Sequence, residues 1–341
     1  MTKKIIVILV LIVVVFHLSW YAISRMQVNK KIPEQAAIQT AFDNYLQKEK
    51  ISVDPNSFRE TYIEANGHRL HLTIFSAGHN APTVVFIPGT SVYAKFYIEF
   101  MYKIYLRGFN VVGFDPRGHG LSSGQRGDYT INEIVDDTLA VVKYSRERFG
   151  GKVAVIGSSQ GGIVAFYAAA RDDSIAAAVC HNLADFNGRD NLILSHVRPP
   201  QFMVPLAEFL AGVYKSYAVP VSLYLDLTKE KSKSGRNLTA LVKDDPVIVH
   251  WITIRALGSL MHTDLAKPVE KINVPVMLIH ADKDTIFPQA YVENIFNKLT
   301  CKKKYLLFKN TQHLVMTNNV DEVVPPIAAW LKEIMQGLSV L

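Results

Sequence analysis

The chain has 341 residues, with 37 Lys and Arg against 30 Asp and Glu and a formal net charge of +7. That is enough for one catalytic domain of about 250 residues with an inserted segment. The charge is spread along the sequence with no basic stripe carrying interleaved aromatics, so nucleic acid is not an expected partner. Two cysteines, Cys180 and Cys301, exclude a disulfide framework and a cysteine-built zinc site.

After Lys3-Lys4, residues Ile5 to Ile23 are apolar except for His17 and Ser19. This is close to the roughly 20 residues that cross a bilayer. Trp20 and Tyr21 suit a membrane interface, and Ala22-x-Ser24 beyond them is a poor cleavage site. Residues 1–25 therefore read as an uncleaved single-pass anchor, with a cleaved signal peptide and secretion as the alternative. Lys3 and Lys4 oppose Arg25, Lys30 and Lys31, which leaves the orientation open. Residues 26–58 read as a polar stalk, in which Pro33 starts a short helix bearing Ala37, Ala41, Phe42, Tyr45 and Leu46.

Asn66-Gly67 between two apolar runs predicts a tight hairpin. Strands are then predicted from Thr83, Val111, Val153, Ile175, Val274 and Lys304, alternating with helices, which means a mostly parallel sheet. No internal repeat interrupts this pattern.

Within it stands Gly157-Ser158-Ser159-Gln160-Gly161, a G-x-S-x-G pentapeptide between the apolar run Val153 to Ile156 and the small-residue stretch Gly162 to Ala170. Strand, sharp turn and helix together hold a serine hydroxyl exposed above a sheet edge, which makes Ser159 a candidate nucleophile. Gly157 and Gly161 remove Cβ atoms where strand and helix nearly touch. The Gln160 amide is the first donor of a helix start aimed at a developing oxyanion. A glycine-rich packing turn is the alternative reading of the pentapeptide alone.

A serine needs a base, and the base needs an orienting acid. The strand Val274 to His280 runs into the polar loop Ala281 to Pro288, which offers Asp284 as the acid and Asp282 as its competitor. A helix from about Gln289 to Leu299 and a strand from Lys304 to Lys309 lead to Asn310-Thr311-Gln312-His313. A histidine on a loop after the last strand can swing over the elbow, so His313 is the candidate base. Other histidines, among them His17, His68, His71, His79, His196, His250 and His262, read as surface or core residues.

With Phe114-Asp115-Pro116-Arg117-Gly118-His119-Gly120-Leu121-Ser122 added to these motifs, the chain resembles the α/β-hydrolase superfamily. More narrowly, it is similar to the branch of monoacylglycerol lipases, lysophospholipases and serine aminopeptidase-like hydrolases. The resemblance covers about residues 60–184 and 272–337. It implies an eight-stranded, mostly parallel sheet with helices on both faces, a core over 59–184 and 272–341, and a helical cap over 185–271. Pro199-Pro200, the apolar stretch 202–227, a solvated Lys229 to Ser234 loop and a helix over 247–261 fall in that cap. The family usually has His-Gly after the third strand, whereas this chain has Pro88-Gly89-Thr90, so the second oxyanion amide falls to Thr90. His119 reads as a structural histidine.

The function expected is a serine hydrolase cleaving carboxylic esters of the acylglycerol or lysophospholipid type, with no metal or organic cofactor. A peptidase or amidase on the same residues, or a non-catalytic binding protein, are the alternatives. The oligomeric state is open.

Overall fold

The computed structural model describes residues 2–187, 204–243 and 245–337. In chain order the elements begin with helices α1 (Thr2–Val28) and α2 (Gln35–Glu49). Next come strands β1 (Phe58–Ala65), β2 (His68–Phe75) and β3 (Thr83–Ile87), helix α3 (Ile98–Tyr105) and strand β4 (Asn110–Phe114). Helix α4 (Ile131–Phe149), strand β5 (Val153–Ser158), helix α5 (Gln160–Arg171) and strand β6 (Ala178–His181) complete the first half. The inserted segment holds α6 (Val204–Val213), β7 (Ala218–Pro220), α7 (Leu238–Lys243), β8 (Trp251–Thr253) and α8 (Ile254–Met261). The chain returns through β9 (Val276–Ala281), α9 (Gln289–Lys298), β10 (Lys303–Phe308), α10 (Val315–Asn318) and α11 (Val320–Gln336).

Eight strands form one sheet in the order β1-β2-β4-β3-β5-β6-β9-β10. The edge pairs β1–β2 and β2–β4 are antiparallel, and the rest are parallel. The hairpin is the expected one, with Asn66 at φ 51° and Gly67 at φ 76°, values that a short polar residue and a glycine tolerate. Alternation along each buried strand divides the core: Val85, Ile87 and Val155 face α4 and α5, while Val84, Phe86 and Ile156 face α3 and α11. This is the α/β-hydrolase fold, and the parallel order turns the C-terminal ends of β3, β5, β6, β9 and β10 toward one edge, where such sheets place their sites.

Three expectations are corrected. Residues 26–58 are not a stalk: Ile38, Phe42 and Tyr45, one face of α2, are buried in the core, and the Tyr45 hydroxyl donates to the Phe96 carbonyl at 2.7 Å. Residues 247–261 are not one helix, because Trp251-Ile252-Thr253 pairs antiparallel with β7 before α8 begins. All three residues are branched or aromatic types that favour a strand over a helix, and the Thr253 side chain then caps α8 by accepting from the Ala256 amide. The lysine-rich loop is not solvated throughout either, since Glu230 and Ser232 are buried. Pro199-Pro200, Phe202 and His196 lie outside the described residues.

The last turns of α1 also touch the body. The Trp20 indole donates to the Ala218 carbonyl at 2.9 Å, the Ser24 hydroxyl accepts from the Ala218 amide at 2.9 Å, and Trp20 packs edge-on against Tyr217. Ser24 and Val28 are buried, whereas Ile5 to Phe16 are exposed.

Candidate active site

Strand β5 ends at Ser158, and the chain turns sharply at Ser159, whose φ of 55° and ψ of −121° are strained for a residue with a Cβ. Two glycines make room for that turn. A Cβ at Gly157 would run into the Gly161 carbonyl, and one at Gly161 into the carbonyls of Ile87 and Pro88, so α5 can approach β5 and β3 only without side chains there. Gln160 opens α5, where the first amides have no helical acceptor. Its side-chain oxygen accepts from the Thr90 hydroxyl at 2.8 Å and the Tyr129 hydroxyl at 3.1 Å. The residues expected to supply oxyanion donors thus brace one another.

The loops after β9 and β10 bring the acid and the base to this turn. His313 Nε2 lies 2.9 Å from Ser159 Oγ, and Nδ1 donates to Asp284 Oδ2 at 2.7 Å. The Asp284 side chain is fully buried and that of His313 almost so. Burial alone would lift the Asp284 pKa, but the neighbouring imidazole, through charge and hydrogen bond, holds it well below the usual carboxylate range. For His313, burial pulls down, whereas the charge and hydrogen bond of Asp284, with Glu230 behind it, raise it above the ordinary histidine value. Asp282, the competing acid, accepts instead from the Thr311 amide at 3.3 Å.

Sequence reasoning missed the residues around this pair. Asp284 Oδ1 accepts from the amides of Ile286 and Phe287 at 2.8 and 2.9 Å, and Oδ2 also accepts from Asn182 Nδ2 at 2.9 Å. Asn182, at φ 74° just beyond β6, is oriented in turn by His280, whose Nδ1 donates to its oxygen at 2.5 Å. Phe287 stacks on the His313 ring at 5.7 Å and 7°, and His181 packs 4.9 Å away. Burial, and then the charge on His313, lower the His181 pKa to about 3, so this neighbour is uncharged. Donor atoms of His181, Asp284 and His313 lie within 4.8 Å of one another. Two of those residues, however, spend these atoms on each other, which makes the group a hydrogen-bonded unit rather than a ligand set. His119 Nδ1 bonds to the Arg117 carbonyl at 3.0 Å, and its ring lies 4.8 Å from Tyr129. Cys180 and Cys301 are free thiols.

A serine on a strained strand-to-helix turn, hydrogen-bonded to a histidine that is hydrogen-bonded to a buried aspartate, on this sheet, defines an α/β hydrolase of the serine type. Residues 78–320 match the family model of the serine aminopeptidases, S33, and the chain belongs to that family. It is 25% identical over 274 residues to a bifunctional esterase/perhydrolase of Acinetobacter calcoaceticus, covering 74% of this chain and 92% of that one. Among solved structures, a monoacylglycerol lipase of Paleococcus ferrophilus aligns with a TM-score of 0.62 and 26% identity, covering 77% of this chain and 98% of that one. A soluble variant of monoglyceride lipase from Saccharomyces cerevisiae gives a TM-score of 0.67 at 18% identity over 83% of this chain and 98% of that one, a likeness of fold. The protein is a serine hydrolase.

Proposed function

We propose that this hydrolase cleaves carboxylic esters, with acylglycerols or lysophospholipids as its substrate class, through an acyl-enzyme on Ser159. His313 takes the proton from Ser159 as the oxygen attacks the carbonyl carbon, and Asp284 holds the imidazolium that forms. The backbone amides of Gln160 and Thr90 stabilise the oxyanion. The proton passes to the departing alkoxide; His313 then draws a proton from water, whose oxygen attacks the acyl carbon, and as the bond to Ser159 Oγ breaks His313 returns the proton to that oxygen and the acid leaves. The observation that carries this reading is His313 spanning Ser159 and Asp284 at 2.9 and 2.7 Å. The lipid-type substrate is supported by the 26% identity to a monoacylglycerol lipase. An N-terminal helix whose span Lys4–Val28 holds an 18-residue window of mean hydropathy 2.7 supports a membrane anchor that would bring the enzyme to such substrates.

A fluorophosphonate probe tests the nucleophile. It is expected to label the wild type and not Ser159→Ala, which stays folded and keeps only the roughly 10³ to 10⁴-fold advantage over water that binding and oxyanion stabilisation supply. Near-normal turnover by the variant would overturn the assignment. The description of the family as aminopeptidases favours a second reading, amide hydrolysis on the same residues. Nitrophenyl esters and aminoacyl anilides assayed side by side separate the two.

A further inference from the structure

The Lys229 to Ser234 loop of the cap straddles the loop that carries His313. Gln312 Nε2 donates to the Lys229 carbonyl at 3.2 Å and Asn318 Nδ2 to the Lys231 carbonyl at 2.7 Å, one anchor on either side of His313. From the other direction α2 grips the same loop: Glu49, buried at the helix end, accepts from the Ser232 hydroxyl at 3.0 Å and from the Ser234 amide and hydroxyl at 3.0 and 2.8 Å. Lys233 adds an ion pair to Glu99 at 2.7 Å. The residue these fastenings deliver is Glu230, which is fully buried. One oxygen accepts from the Thr285 hydroxyl at 3.1 Å, next to Asp284 in sequence, and the other has no hydrogen-bond partner among the described residues. An exposed lysine loop would not need to send a carboxylate inward, and a buried carboxylate is costly unless something compensates it.

We propose that Glu230 is a positioning residue for His313: a cap carboxylate, held in place by Glu49 of α2, whose charge backs the His313–Asp284 pair. The proposal rests on the reading of His313 as the base. The charged and titratable groups facing Glu230 are His313 and Asp284. Those facing His313 are Asp284 and Glu230, with His181 packed uncharged against its ring and His280, whose pKa burial lowers, behind Asn182. Burial raises the pKa of Glu230 and the imidazole opposes that rise, so the two titrate as a coupled set. While Glu230 is ionised it favours the imidazolium, the form in which His313 carries the serine proton.

The test is the pH profile of kcat/KM for a short nitrophenyl ester, measured on the full chain as wild type, Glu230→Gln and Glu49→Gln, with fluorophosphonate labelling followed in parallel. Glutamine keeps an oxygen for the Thr285 hydroxyl and loses the charge. The acid limb of Glu230→Gln is expected to move to lower pH, leaving about threefold more of its own plateau rate on the wild-type limb, the equivalent of half a pH unit. Glu49→Gln, which loosens the grip without touching the site, is expected to move the limb in the same direction by less. A limb that coincides with the wild type in Glu230→Gln, or moves upward, overturns the proposal. If that variant does not fold, an unmoved limb in Glu49→Gln does so. A wild type with no histidine-type limb, or labelled Ser159→Ala, would instead overturn the reading of the catalytic residues.

Discussion

Asp282 and Asp284 stand two residues apart on one loop, and their surroundings separate them. Asp284 has four hydrogen bonds, from His313, Asn182 and two amides, and its side chain is fully buried. Asp282 is half-buried and serves the Thr311 turn. Asp284→Asn is therefore expected to lower kcat by about 10⁴-fold through the wrong His313 tautomer, whereas Asp282→Asn changes it little. The opposite ranking in steady-state kinetics would move the acid to Asp282. Ser159, Asp284 and His313 were legible because each follows an apolar strand at a turn with recognisable chemistry. Asn182 and Glu230 were not. Asn182 has only a polar residue after a strand as its signal, and Glu230 looks like one charge in a lysine-rich loop until the fold lays that loop on His313.

Alternation of buried strands with helices made the sheet readable, since period-two and period-3.6 patterns survive in sequence. The inserted segment was less so, because its short elements take their conformation from tertiary contacts: β8 is a strand through pairing with β7. The elbow lies at the other extreme, a local necessity imposed by backbone proximity. Gly161→Ala is expected to destabilise the fold by roughly 3 kcal/mol and to remove activity, because the added methyl meets two carbonyls of β3 and its loop. Gly258, inside α8 with nothing within 4 Å of a new Cβ, provides the contrast. Gly258→Ala should gain about 0.5 to 1 kcal/mol of helix propensity. Thermal melts of the two variants with similar shifts would count against this account of the elbow.

Residues 26–58 were read as a stalk behind an anchor, and the structure instead folds α2 into the body, with the end of α1 seated on β7. The apolar residues of that helix, Phe42 and Tyr45 among them, were legible, but their packing on the core was not, because Gln39, Thr40, Asp43 and Asn44 alternate with them and nothing local shows what they pack against. The full-length protein is expected to pellet with membranes and resist carbonate extraction. A protein beginning at Gln27 should be soluble and cleave short esters, with a melting point a few degrees lower for the lost Trp20 and Ser24 contacts, worth about 1 to 2 kcal/mol. A mature N-terminus near Arg25 in the soluble fraction would make the apolar run a signal peptide instead. The seating of α1 on β7 has a further consequence. A domain on a slack leash tumbles at the surface and must find its working pose again at each encounter. On the proposed reading of α1 as a membrane anchor, its last turns are fastened to β7, so that rotational freedom is surrendered once, at folding, and the Ser159 turn keeps a fixed bearing to the membrane plane.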